Sequence, residues 1–227
     1  MLSWFDKSIG TERGMVSRIA VARQAWQRLY SKRGLQYGGS GDIDILRPFL
    51  RKDSRILDAG CGDGKLTEAL ARLSDVVGCD LSREALVKLR EQRDREVEVD
   101  LVECDMTQLP FVSEKFDLVS CVHSLSHLMS DDRLRAARQL SEAVRSGGHV
   151  FVEVFGRGDL RFGNGEEVEA FSFRRGDGII THYFQEDEVP SLFRELEVVT
   201  ELGLMRRVAY GTVAGKRDVM RVLMKKP

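Results

Sequence analysis

The stretch Ile56-Leu57-Asp58-Ala59-Gly60-Cys61-Gly62-Asp63-Gly64-Lys65 places three glycines at alternate positions, behind an apolar strand-like run and ahead of a helical one. Glycine has no Cβ, so such a loop turns tightly and lets the backbone approach a ligand. Twenty residues beyond Gly60, Asp80 closes a second apolar run, where a carboxylate can accept both hydroxyls of a ribose. The pair of features points to a cofactor that contains a nucleoside. A dinucleotide fingerprint needs a third glycine where Lys65 stands, and a phosphate-cradling P-loop needs Ser or Thr where Leu66 stands. Both alternatives lose a defining contact.

The pattern Asp58-x-Gly60-x-Gly62-x-Gly64 followed by Asp80 resembles the first two motifs of the class I S-adenosylmethionine-dependent methyltransferases. The likeness continues in order through Cys104-Asp105-Met106, Leu109-Pro110-Phe111, Phe116-Asp117-Leu118-Val119, Ser124-x-x-His127-Leu128 and Arg145-Ser146-Gly147-Gly148, covering roughly residues 54–155. It is that of the small methyltransferase-domain proteins. It implies S-adenosylmethionine as cofactor, with Gly60, Cys61 and Gly62 beside its amino-acid part and Asp58 ordering the loop. It further implies Asp80 on the ribose, Leu81 against adenine, Asp105 near the adenine amino group and Met106 beside the ring. Cys121, Val122 and His123 then fall near the methionine end and the methyl group.

A sulfonium methyl is already activated, so its displacement mainly requires in-line alignment and exclusion of water. If the nucleophile is protonated, a base is needed as well. His123 and His127 follow the fourth predicted strand and His182 lies in a later insertion, so these three are the candidates; each has a structural reading too. The Asn/Asp-Pro-Pro-aromatic motif of adenine and glutamine N-methyltransferases, a Pro-Cys nucleophile for cytosine C5 and the paired acids of catechol methyltransferases are all missing, which disfavours those chemistries. The first expectation is a small-molecule acceptor, lined by Tyr37, His123, His127, Phe155, Phe171, Phe173, His182 and Tyr183. A second is RNA, because several segments resemble enzymes that methylate modified wobble uridines in tRNA. A third is a non-catalytic cofactor-binding or scaffold protein.

These residues need a frame. From Ser54 onward strand-like and helical runs alternate: 55–59, helix 65–73, 75–79, helix 82–93, 97–103, 116–121, helix 131–145 capped by Ser130, and 149–154. Such alternation predicts an α/β, Rossmann-like doubly wound fold with helices on both faces. The family likeness adds a mostly parallel seven-stranded sheet with an antiparallel C-terminal strand. Met15, Ile19, Ala22, Trp26 and Leu29 predict an amphipathic helix over 11–35, and Ile43, Leu46, Phe49 and Leu50 repeat the helical spacing. A hairpin is expected from 168–173 and 179–184, a helix over 186–196, and closing strands at 198–204 and 219–224. A single domain results, with a helical cap over 1–52, a cofactor core over 53–155, a cap insertion over 156–184 and a closing part over 185–227.

With 42% hydrophobic and 31% charged residues among 227, and no long apolar run, neither a membrane span nor a disordered chain is expected. The formal net charge of -1 hides a pattern of +6 over residues 1–52, -13 over 53–202 and +6 over 203–227. Cys61, Cys79, Cys104 and Cys121 form no CxxC pair, so free thiols and no metal site are expected. The absence of a signal-peptide pattern leads to the expectation of a cytoplasmic protein, as monomer or homodimer.

Overall fold

A computed structural model describes residues 8–32, 43–210 and 213–227. The first part of the chain forms α1 (Ser8–Lys32), β1 (Arg55–Ala59), α2 (Lys65–Ala71), β2 (Asp75–Asp80), α3 (Arg83–Gln92), β3 (Asp100–Glu103), β4 (Phe116–Val122), α4 (Ser130–Ala143) and β5 (Val144–Phe155). The second forms β6 (Glu166–Glu169), β7 (Ser172–Arg174), β8 (Ile180–His182), α5 (Glu188–Leu192), β9 (Glu197–Tyr210) and β10 (Val213–Lys225). Seven strands make one sheet in the order β3-β2-β1-β4-β5-β10-β9, while β6-β7-β8 make a separate small sheet. The strands β1 to β5 pair in parallel, and β10 pairs antiparallel with both β5 and β9. This is the seven-stranded arrangement with an antiparallel closing strand that the family likeness implied.

Strand periodicity divides the core. In β5, Val150, Val152 and Val154 enter one cluster with Ala136, Ala137 and Leu140 of α4, whereas Phe151 enters another with Leu66 and Leu70 of α2. The chain leaves β1 toward β2 on one side and returns to β4 on the other, so the strand order reverses there. Open α/β sheets bind ligands at such a switch point, beyond the strand carboxyl ends.

Several local expectations are corrected. Among the side chains of α1 that are described, those from residue 18 onward, the buried ones are Ala25 and Tyr30, with Ile19, Ala22, Trp26 and Leu29 half-buried, because this part of the helix flanks a cavity instead of lying flat on a core; Met15 lies outside the described side chains. Met129, not Ser130, holds the N-cap position of α4 and makes no side-chain capping bond there; the N–H and the hydroxyl of Ser130 both donate to Glu169. Leu134, expected on its apolar face, is 56% exposed, and the helix stops at Ala143 because Val144 already starts β5. The expected hairpin is a three-stranded sheet: a turn at Phe171, with φ of 61°, splits its first strand into β6 and β7. The helix expected over 186–196 is reduced to α5, and the closing strands extend well past their predicted ends as the long β9–β10 pair. Residues 43–50 form turns and a short 3₁₀ segment, Arg47–Phe49, whose neighbours Ile43 and Leu46 are buried.

Candidate active site

Beyond β1 the glycine loop is fixed from several directions. The N–H groups of Gly60 and Cys61 both donate to the Cys79 carbonyl, at 2.7 and 2.9 Å, and the Ser124 hydroxyl donates to the Gly60 carbonyl at 3.1 Å. Gly60 has φ of 75°, and a Cβ there would overlap the Ser124 hydroxyl, so both backbone sign and space require glycine. Asp58 accepts from the hydroxyls of Thr67 at 2.7 Å and Ser120 at 2.8 Å, tying β1 to α2 and β4 beneath the loop. Asp80 accepts from the N–H of Gly62 at 2.9 Å and of Ser82 at 2.8 Å. Burial pushes the Asp80 carboxyl up to about 6, against the pull of those two hydrogen bonds. Burial likewise raises Asp58, which its hydroxyl partners only partly offset.

These residues border one cavity, together with Cys61, Leu81, Asp105 and Met106. Its acidic floor suits a ligand that carries positive charge and hydroxyl donors, and the glycine backbone leaves room for it. Of the thiols, Cys61, Cys79 and Cys104 border the same space. Cys79 and Cys104, both free thiols, share a side-chain hydrogen bond, and that contact together with burial holds the Cys79 thiol well above its ordinary range. Among the described residues no group of three or more His, Cys, Asp and Glu is arranged to hold a metal ion.

The other end of the cavity is made by residues far apart in sequence. Glu153 of β5 and Arg221 of β10 are register partners, and the Arg221 Nε donates to the Glu153 carboxylate at 2.5 Å. The second Glu153 oxygen lies 3.1 Å from His123 Nε2. His123 stands in the left-handed region with φ of 62°, and its ring stacks on Phe155 at 4.2 Å. Its Nδ1 is buried without a hydrogen-bond partner. Burial, reinforced by the charges of Arg217, Lys65 and Arg206, drives the His123 pKa well down, so the ring is neutral. His127 follows in the 3₁₀ turn Ser124–His127; burial brings it down to about 4. Trp26 of α1 meets the His127 ring edge-on at 4.8 Å, and Tyr30 borders the cavity beside it.

The cavity wall includes Asp58, Gly60, Cys61, Gly62, Asp80, Leu81, Asp105, Met106, Val122, His123 and His127. Cys121 does not border it: the side chain points to the opposite face of β4, fully buried in the core, and burial raises the thiol to about 12. Phe155 and Tyr183 pack with Phe173 and Val219 in a core of their own instead of lining the cavity. His182 is held away from it as well, with Nδ1 on the Ser172 hydroxyl at 2.9 Å and Nε2 on Glu188 at 2.8 Å. The insertion thus supports His127 from behind, and its aromatics close its own small sheet. Tyr37 lies outside the described residues. Sequence reasoning missed Tyr30, Glu153, Arg206 and Arg221 as cavity residues. A lone acid within His149-Val-Phe-Val-Glu153-Val-Phe155 and a lone arginine within Val219-Met-Arg221-Val were the available signals.

Residues 56–148 match the family described as a methyltransferase domain. The chain is 28% identical over 156 residues to the tRNA N(3)-cytidine methyltransferase METTL2 of Gallus gallus, which covers 61% of this chain and 41% of that protein. It is 37% identical over 106 residues to a ubiquinone biosynthesis O-methyltransferase of Alkalilimnicola ehrlichii, covering 45% of this chain and 42% of that protein. The chain therefore spans less than half the length of these two relatives. In fold it superimposes on a SAM-dependent methyltransferase from Methanosarcina mazei with a TM-score of 0.67 at 20% identity, covering 81% of this chain and 97% of the other. No helix among the described residues is long and apolar enough to cross a membrane. With its ordered motifs, strand order and matched residues 56–148, the chain carries a methyltransferase domain on the fold of the class I S-adenosylmethionine-dependent methyltransferases, and S-adenosylmethionine is the cofactor that this domain implies.

Proposed function

We propose that the chain transfers a methyl group from S-adenosylmethionine to a nucleobase of RNA. The observation that carries this reading is the convergence of both basic ends of the chain on one cavity. Helix α1 supplies Trp26 and Tyr30 to the wall, and β9 and β10 supply Arg206 and Arg221; away from the cavity α1 exposes Arg18, Arg28 and Lys32, and the β9–β10 pair exposes Arg207 and Lys216. A cation at the wall, Arg206, and others on the same two ends of the chain attract a phosphate backbone independently of sequence. The comparisons support the same choice: the match to the tRNA-modifying relative runs for 156 residues, against 106 for the ubiquinone relative. By its name that relative acts on cytidine N3, whereas the RNA alternative drawn from sequence was a wobble uridine.

In this reading the loop Gly60–Gly62, Asp80, Leu81, Asp105 and Met106 hold the cofactor, which when bound supplies an activated methyl group. Asp80 offers its carboxylate to hydroxyl donors, and the buried Asp58 keeps the loop in register with α2 and β4. Trp26 and Tyr30 cover the cavity and exclude water from the reacting centre. His123 and His127 stay neutral at physiological pH, and of the two His127 offers a lone pair and no charge to the acceptor. A second reading, a small-molecule acceptor, is favoured by that same cover from α1. Tritiated-methyl S-adenosylmethionine, added with the purified chain to separated RNA, protein and small-molecule pools, discriminates the two. Label in nuclease-sensitive RNA is expected; label confined to the small-molecule pool replaces the first reading by the second.

A further inference from the structure

Of the two histidines at the acceptor end, His127 alone turns an open ring nitrogen to the cavity. Its Nδ1 lies 2.8 Å from the carbonyl oxygen of Ile180. A carbonyl only accepts, so in the neutral ring the proton is on Nδ1 and Nε2 carries a lone pair. Nε2 has no hydrogen-bond partner among the described residues, yet it is not among the buried polar atoms left without one. It is therefore accessible, on a ring that lines the cavity. His123 differs: its Nε2 is on Glu153 and its Nδ1 is sealed off.

The ring is also held in place. Trp26 packs edge-on from α1, Phe155 approaches at 6.1 Å from β5, and Ile180 of β8 fixes the tautomer from behind. We infer that His127 Nε2 accepts a hydrogen bond from an N–H or O–H group of the acceptor, next to the atom that takes the methyl group. The site then selects acceptors that pair a lone-pair nucleophile with a neighbouring donor. A base whose ring nitrogen flanks an exocyclic amino group has that pattern; a base whose ring nitrogen carries its own proton does not. This rests on the methyl-transfer reading above. Burial sets the ring's low basicity, Arg175 and Arg161 add to it and Asp177 opposes it, so His127 positions the acceptor and does not deprotonate it.

The full chain is compared with His127→Asn and His127→Gln, using unmodified tRNA transcripts and tritiated-methyl S-adenosylmethionine. Asn retains a donor for the Ile180 carbonyl but is too short to present an acceptor in the cavity; Gln can bring an oxygen near the place of Nε2. The expected result is a fall in kcat/KM of about tenfold or more for Asn, partial recovery for Gln, and S-adenosylmethionine affinity by calorimetry within about twofold for both. Label should sit on a base that bears an amino group. Activity of the Asn variant within about twofold of the parent, or label on an atom with no neighbouring donor, overturns the inference. If label enters only a small-molecule pool, the RNA reading fails, and the same Asn-against-Gln comparison on that acceptor decides the role of His127. Transfer to no pool at all, with the cofactor bound, overturns both. Nitrogen-15 NMR gives a readout that needs no acceptor: a proton on Nδ1 is expected, and a proton on Nε2 defeats the inference whatever the activity.

Discussion

The two ends of the cavity reach their charge by opposite routes. At one end the buried Asp58 and the half-buried Asp80 are acids satisfied by hydroxyls and backbone N–H groups, and they come from a short run of sequence around the glycine loop. At the other end Arg221 pairs with one buried carboxylate, Glu153, while Arg206 and Lys65 border the same cavity, and the groups come from α2 and strands β5, β9 and β10. The first arrangement suits a cationic cofactor that brings its own donors. The second meets something that the rest of the chain must define. A local motif thus builds one end of the cavity, and tertiary assembly builds the other.

The largest effect is expected at Glu153, where the acceptor end is also structural. Its carboxylate joins His123 to Arg221 inside the protein, and removing one partner of a buried pair costs about 3–5 kcal/mol because the other charge stays buried. Glu153→Ala should therefore lower the denaturation midpoint sharply. Glu153→Gln, which keeps the shape, should recover part of that. An unchanged midpoint in urea for Glu153→Ala shows that the acceptor end is not built on this triad. Next comes Gly60→Ala, which meets both an unfavourable φ and the Ser124 hydroxyl. A loss of about 2–3 kcal/mol is expected, with S-adenosylmethionine binding lost beyond detection by calorimetry.

These two sites were not equally visible beforehand. Gly60, Gly62 and Asp80 were legible because the chemistry that needs them also needs them at fixed offsets after a strand, and the parallel α/β frame followed from the period of the apolar runs. Glu153 and Arg221 were not, since each reads alone as a stray charge in a strand and becomes meaningful only through the β5–β10 register. Cys121 misled for a related reason: the motif places β4 at the site, but strand alternation sends Cys121 inward and Val122 toward the cavity. The aromatics Phe155, Phe173 and Tyr183 suggested a pocket lining, and they instead satisfy one another in a satellite core. Composition cannot distinguish those outcomes, because both bury the same side chains.

Asp80 gives the next prediction. Asp80→Asn should weaken S-adenosylmethionine by roughly 10-fold to 100-fold, the range for hydrogen bonds to a charged group, while leaving acceptor affinity alone. Its titration adds a sign. The folded carboxyl is held near 6, against an ordinary 3.8, so the folded chain keeps a proton that the unfolded chain has released. The stability this contributes to the ligand-free protein is full below about pH 4 and is lost as pH rises through about 6. Cofactor affinity should move the other way, because hydroxyl donors and a cation favour the carboxylate. It should rise with pH through about 6, approaching about tenfold per unit on the acid side, and Asp80→Asn should flatten that profile. A parallel profile in the variant assigns the titration to another group.

The smallest effect is expected at Arg206, and it separates the two ends most cleanly because its sign differs between ligands. Arg206 reaches the cavity from an exposed stretch of β9, and its charge is one of those that depress His123. Removing one exposed cation should cost an anionic polymer about threefold to tenfold in KM, and should reduce the dependence of log affinity on log salt by about one unit per lost phosphate contact. The cofactor is a cation, so the same loss should leave S-adenosylmethionine binding unchanged or slightly tighter. Arg206→Gln therefore weakens one ligand without weakening the other, where Asp80→Asn does the reverse. A salt slope that stays the same in Arg206→Gln means that this arginine touches no phosphate. A flat slope in the parent protein as well points to an uncharged acceptor, in which case the basic ends of the chain are solvated surface and the acceptor is chosen by the enclosed part of the cavity alone.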